Sequence, residues 1–348
     1  MSTTLRLDHF LDPFEARVVI TADGPRFDLS ALPRLDGMLV GRSVVDVPDI
    51  VKRLCGICPV THHLAGVRAL DQLFDAPPPP AAQNLRRLLH YGSVLDAVAP
   101  KLIGRDPERA IELKRFGKAV LAAAGCPGHF PDVAIPGGVR DASARVPDIR
   151  ALEVPQDLEV PELTWVDGYG GASIRLETEG KFDPLGGELS TGQPVARWPQ
   201  LITETHAGQP APRPLYQGKP YRVGPLAQFG SMHPLAAQVV QLNHALAAIR
   251  RLLRADYAGP WTTPGALRDG TGVGLIDGPR GILAHVYTAV DGVLTECQIL
   301  TPTAQNEPWL ADMLAELDAE SAIRAADPCL PCTSAPEGQM NVRTVPCA

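Results

Sequence analysis

Arg53-Leu-Cys55-Gly-Ile-Cys58-Pro-Val-Thr-His62, followed nearly a whole chain later by Asp327-Pro-Cys329-Leu-Pro-Cys332, decides how this sequence is read. Each stretch holds a Cys-x-x-Cys pair, a spacing that lets two sulfurs face one ion. Four thiolates brought to one point form a metal site, and soft sulfur donors select nickel, zinc, copper or iron-sulfur clusters over magnesium or calcium. The bare skeleton is equally that of a structural zinc site with four cysteine ligands. Zinc ribbons, however, place their pairs a few tens of residues apart in a small domain. Here Cys58 and Cys329 are separated by most of the sequence, so a buried site that spans the fold is expected.

The residues around the thiols say more than a ribbon requires. Arg53, Pro59 and His62 frame the first pair, and Asp327 and Pro328 the second. At these positions the chain resembles the large subunit of nickel-iron hydrogenases, whose signatures are RxCGxCPxxH and DPCxxC. Further stretches extend the resemblance over most of the chain: Leu39-Val-Gly-Arg42, Ile135-Pro-Gly-Gly-Val-Arg140 (PGGVR) and Tyr221-Arg-Val-Gly-Pro-Leu226 (YxVGPLA). Asp277-Gly-Pro-Arg280-Gly281 resembles E(A/Q)PRG, and Thr301-Pro302-Thr-Ala-Gln305-Asn306 resembles PTTQN. His62-His63-Leu-Ala and Arg222-Val-Gly-Pro-Leu read most like the soluble, cytoplasmic branches that pass electrons to nicotinamide or deazaflavin partners.

What the resemblance implies can be set out residue by residue. Cys58 and Cys332 would bridge nickel and iron, and Cys55 and Cys329 would be terminal on nickel, with Cys329 a first base for the proton of heterolytic H2 cleavage. The iron of this Ni-Fe centre would carry CO and CN ligands. Arg280 would project its guanidinium over the open face of the metals, where a fixed cation orients H2 and stabilises developing charge; the alternative is a structural salt bridge. His62 would support the cysteines by a hydrogen bond, although an imidazole one turn after Cys58 is also an ordinary core histidine. Asp36, Asp277 and Pro302 would belong to the cofactor surroundings through their motifs.

Several departures are visible. The proton-relay glutamate of the RxEGH motif is best matched by Asp8 in Arg6-Leu-Asp8-His9, a side chain one methylene shorter. Asp36 and Asp277 are likewise shortened relative to glutamates of the family. Many members follow DPCxxC with a histidine that ligates a nearby divalent ion such as magnesium and marks a processing site. This chain carries Ala335 there, so residues 333–348 either stay attached as a tail or mark a protein that never completes maturation.

Composition agrees with such a protein. The 348 residues, 45% of them hydrophobic, suffice for a large core. A formal net charge of -7, with no basic arm or basic-aromatic stripe, argues against a nucleic-acid partner. The N-terminal residues lack an apolar stretch, and no apolar run approaches ~18 residues, so neither a signal peptide nor a membrane span is expected and a cytoplasmic location is. After the four motif cysteines only Cys126, Cys297 and Cys347 remain, too scattered for a further iron-sulfur cluster. Cys126 and Cys297 read as core residues, Cys347 as part of a mobile tail. Electrons therefore need another subunit, and the resemblance implies an iron-sulfur small subunit, with further electron-transfer subunits and maturation chaperones as partners.

The expected fold is α+β, mainly α: a central helical bundle holding the metal site, with small peripheral β-hairpins and sheets, in a single domain over residues 1–348. A strand is expected over 16–21, closed by Asp23-Gly24. Helices are expected from Pro48 into the first motif, over 64–74 until Pro77–Pro80 break the pattern, and over 82–95, 107–124, 234–254 and 309–326. Residues 140–220, rich in Pro, Gly and acidic groups, read as an irregular lobe with short strands such as 172–177. Residues 282–290 and 293–300, joined by Asp291-Gly292, form the clearest hairpin. The leading functional reading is the catalytic large subunit of a compact nickel-iron hydrogenase. The alternatives are a non-catalytic cofactor-assembly scaffold or H2 sensor, and a structural zinc protein or electron-transfer subunit. The last is disfavoured because that type of subunit lacks these cysteine pairs.

Overall fold

The computed structural model describes residues 14–30 and 36–346. Its longer helices begin where proline sits in the first turn, a position whose missing N–H costs nothing. Helix α1 (Pro59–Leu73) starts immediately after Cys58 and is buried on nearly every side, its polar side chains His62, His63 and Asp71 finding partners inside the fold. Helix α2 (Pro80–Val98) starts as the proline run ends. Helix α3 (Pro107–Ala123) is capped by the Asp106 carboxylate, which accepts from Arg109 N at 3.0 Å. Leu113, Phe116 and Val120 share its buried face, and Ala124 is buried just beyond its end. Helix α4 (Pro234–Leu252) packs on α2 beside α3.

Strand β1 (Glu15–Thr21) pairs antiparallel with β2 (Gly24–Phe27) through the expected Asp23-Gly24 turn. The larger sheet has the order β3 (Gly270–Gly278), β4 (Gly281–Val290), β5 (Val293–Leu300), all antiparallel. Mixed helix and strand is as expected, but this sheet is not peripheral. Strands β3 and β4 are buried over most of their length, and β3 lies directly on α1. The reason is Gly272 and Gly274: a Cβ on Gly274 would fall 1.9 Å from Ala65 O, and one on Gly272 2.1 Å from Ala69 O. Only glycine lets the strand approach the helix backbone so closely.

The helix expected over 309–326 is two helices. Helix α5 (Pro302–Glu316) starts earlier, under a Thr301 cap, and α6 (Ala319–Ala326) restarts where the Asp318 carboxylate accepts from Ser321 N at 3.0 Å. Residues 151–171 form no regular element and are strapped down by side chains. Asn243 of α4 bonds both backbone groups of Leu158, and Arg222 forks onto Asp167 between the rings of Tyr169 and Trp309. The segment expected as a tail is instead ordered through Pro346: strand β6 (Asn341–Pro346) runs parallel to β1, from Glu15 opposite Asn341 to Ile20 opposite Pro346. Cys347 lies outside the described residues.

Candidate metal centre

Three sulfurs from opposite ends of the chain meet. Cys329 Sγ lies 3.8 Å from Cys55 Sγ and 3.7 Å from Cys58 Sγ. None of these cysteines is in a disulfide. Two thiolates sharing one tetrahedral ion through bonds of about 2.3 Å stand about 3.8 Å apart, so the spacing fits a common metal. Cys58 is placed by α1, as the residue that caps its N-terminus; Ile57 N donates to Cys55 Sγ at 3.4 Å. Cys329 is placed from the other side. Asp327 ends α6 in the left-handed conformation (φ 46°), turning the chain toward the site, and Cys329 N donates to Thr303 Oγ1 at 2.8 Å.

The thiols titrate as one group. Cys55 is held well below the ordinary thiol range, chiefly because Cys329 and then Cys58 donate to its sulfur, with help from His62. The same sharing pushes Cys58 well up and, together with burial, Cys329 up to about 12. Three sulfurs sharing protons are what a divalent metal replaces, since binding releases those protons.

Beside the sulfurs is a cavity of about 180 Å³, lined also by Thr61, His62, Arg280, Pro302, Thr303 and Pro212. Arg280 sits at the tip of the turn joining β3 to β4, where Gly278 faces Gly281. Gly281 has φ 119°, and a Cβ there would lie 2.5 Å from Val223 Cγ2, so the turn closes tightly on the Tyr221–Leu226 stretch. Arg280 Nε stands 3.2 Å from Asp327 Oδ2, and Lys101 donates to that same oxygen. Burial works against the Arg280 charge, but Asp327 and the nearby sulfurs outweigh it and raise the guanidinium further above its ordinary range. Burial draws the Lys101 ammonium down, opposed by Asp327.

His62 continues into a buried chain. Its Nδ1 is 3.0 Å from His285 Nε2, and His285 Nδ1 meets the Tyr287 hydroxyl. Burial raises Tyr287 and lowers His285, so the phenol keeps its proton and the imidazole is neutral. With Tyr287 donating to Nδ1, His285 carries its proton on Nε2 and donates to His62 Nδ1. The His62 proton is thereby placed on Nε2, the ring atom left to face the sulfurs.

The other expected site residues are placed differently. Cys332 is not among the cavity-lining residues; it is buried in the apolar cluster with Ile323 and Ala326, and burial raises its thiol to about 11. Asp277 is buried beside the cavity, but its carboxylate accepts from Gln228 Nε2 at 2.6 Å and Leu176 N at 3.0 Å, and burial pushes it up to about 7. Asp36 accepts from Ile299 N at 2.7 Å, pinning its segment to β5. Asp8 lies outside the described residues. Ala335 is buried and its carbonyl accepts from Arg324 at 2.9 Å. Sequence reading missed Lys101, Thr303, His285 and Tyr287. Only His285 and Tyr287 carried a signal, as polar residues two apart on one face of an apolar strand.

Comparison with known proteins agrees with this geometry. Residues 34–98 match the family described as nickel-dependent hydrogenase. The chain is 27% identical to the alpha subunit of the coenzyme F420 hydrogenase of Methanothermobacter thermautotrophicus, over 90% of this chain and 88% of that protein. It is 24% identical to the alpha subunit of sulfhydrogenase 2 of Pyrococcus furiosus, over 92% of each protein. Among solved structures, an NAD+-reducing [NiFe]-hydrogenase in the H2-reduced state superposes with a TM-score of 0.68 at 23% identity, over 89% of this chain and 93% of the other. The Ni-Fe-Se hydrogenase of D. vulgaris Hildenborough gives 0.63 at 19%, over 89% and 94%. The chain is thus similar along most of its length to the alpha subunits of these hydrogenases and shares the fold of the solved [NiFe] and Ni-Fe-Se enzymes.

Proposed function

We propose that this chain is the catalytic large subunit of a compact nickel-iron hydrogenase, cleaving H2 heterolytically and passing electrons to an iron-sulfur small subunit, in the cytoplasm and as a single domain. The observation that carries the reading is the meeting of Cys55, Cys58 and Cys329 beneath a buried arginine. When bound, a nickel-iron pair would supply the electron-accepting half of the reaction, held by Cys55, Cys58 and Cys329, with Cys332 the fourth ligand if its loop turns inward. This chain's own residues do the rest. The sulfur of Cys329 takes the proton, as its sharing among three thiols suits it to do. Arg280, fixed by Asp327, presents a cation to the cavity that a flexible lysine would not copy. His62 holds a proton toward the sulfurs, which steadies their charge.

Exposed apolar side chains support a partner surface. Met38, Val40 and Val45 lie on the segment leading into the first cysteine pair, and Ile57 lies within it. Among the described residues no helix is long and apolar enough to cross a membrane. The scaffold or sensor alternative is favoured by one observation, the burial of Cys332 away from the cavity lining. Elemental analysis of the purified complex decides between these readings and zinc. Nickel and iron with infrared bands of CO and CN, together with H2/D2 exchange, are expected. Metals without exchange would make the chain a scaffold or sensor, and zinc alone would overturn both.

A further inference from the structure

Glu307 is 1% exposed, and among the described residues no donor reaches either of its carboxylate oxygens with good hydrogen-bond geometry. Two arginines face it at ion-pair distance only, Arg26 Nη1 at 3.7 Å from Oε1 and Arg213 Nε at 3.5 Å from Oε2. A buried carboxylate left this way is costly unless it has a use. Its position suggests one. On helix α5 Glu307 follows Thr303 by four residues, so the two side chains stand on one face with about 5–6 Å between Cβ atoms, a gap that one water spans. Thr303 lines the cysteine cavity and its hydroxyl accepts from Cys329 N. On the other side Arg213 directly follows Pro212, which also lines the cavity, and the exposed His206 lies in the same segment. The Arg213 backbone takes a positive φ of 45°, an unusual conformation for a side chain of its size. Glu307 therefore stands between the wall of the cavity and solvent.

We propose that Glu307 relays protons between the cysteine cavity and the surface, resting on the hydrogenase reading above. Each H2 consumed yields two protons and two electrons. The electrons leave through the iron-sulfur partner. Each proton leaving the Cys329 sulfur passes by way of the Thr303 hydroxyl to the Glu307 carboxylate, converting it to the acid, which then releases the proton past His206 to water. Burial pushes this carboxyl up, while Arg26, Arg213 and His206 restrain it; Asp312, on the same helix, faces Arg26. A carboxyl so poised exchanges protons nearer neutrality than an exposed glutamate does.

The test uses the complex with its small subunit. Glu307→Gln is expected to keep nickel, iron and the infrared bands of the metal ligands while slowing H2/D2 exchange at least tenfold; Glu307→Asp should retain part of the rate. In metal-free protein, the infrared carbonyl absorption of protonated carboxyls should titrate in wild type, and Glu307→Gln should remove one component of it while that of Asp277 stays. Arg213→Met, which removes a restraining cation, should move the pH profile of exchange to higher pH. Exchange in Glu307→Gln within twofold of wild type overturns the relay and leaves the hydrogenase reading intact. So does loss of metal in Glu307→Gln combined with an unmoved profile in Arg213→Met. A wild type without nickel and iron overturns both.

Discussion

The two cysteine arms of the site are held by different physics. The first arm, Cys55 to Cys58, rides on packing. Cys58 ends in α1, a helix sunk into the core and pressed on β3 through glycines, while the loop itself is exposed at Gly56 and Ile57. The second arm is held by charge and hydrogen bonds. Asp327 accepts Lys101 and meets Arg280 on one oxygen, and Thr303 holds the Cys329 backbone. A packed arm resists displacement but is hard to adjust. A charged arm sets direction, and it aims Arg280 at the cavity with the same groups that fix Cys329.

Removing the charge should have the largest effect. Asp327→Ala leaves Lys101 and Arg280 buried without their anion, a change that typically costs about 3–5 kcal/mol. Chemical denaturation should record it, with loss of the second arm's order. An effect below about 1 kcal/mol would mean that packing holds this arm too. Next comes the packed arm. Gly274→Ala sets a methyl against Ala65 O, and overpacking of this kind costs about 1–3 kcal/mol. A lowered melting temperature is expected, with the Lys101–Asp327 pairing retained. An unchanged melting temperature would show that α1 and β3 separate easily.

The last effect concerns the base of the Arg280 turn and depends on pH. Asp277 ionises at about 7 in the folded protein and near 3.8 when unfolded, because burial disfavours its charge. Between those values the folded state binds more protons than the unfolded one, so this group makes stability fall as pH rises from about 4 to about 7. Asp277→Asn should remove that slope, visible as a difference between the two denaturation curves across this window. Parallel curves would mean that Gln228 and Leu176 keep the carboxylate ionised despite its burial.

Much of this was legible in the sequence. Paired cysteines declare a site at any separation, and prolines at 107 and 234 mark helix starts because the pyrrolidine fits best in the first turn. What stayed hidden depends on tertiary approach. Gly272 and Gly274 have the composition of a turn, and only the helix beneath makes them a strand. Lys101 belongs to no motif, Thr303 lies in the Thr301–Asn306 stretch without a stated role, and their roles come from facing Asp327 and Cys329. Cys332 shares the Cys-x-x-Cys spacing with Cys329, and the Pro331–Ser334 turn buries it among apolar side chains. The break between α5 and α6 could have been found from Asp318, three residues before Ser321.

The parallel pairing of β1 with β6 also sets an order of events during synthesis. A parallel pair needs a crossover, and here nearly the whole fold is that crossover. At ribosomal speed, β1 waits on the order of tens of seconds for its partner. The first cysteine pair is made early in that interval and Cys329 near its close. Cys55 and Cys58 thus stand for an interval without the second arm, and the docking of β6 against β1 marks the moment when that interval ends.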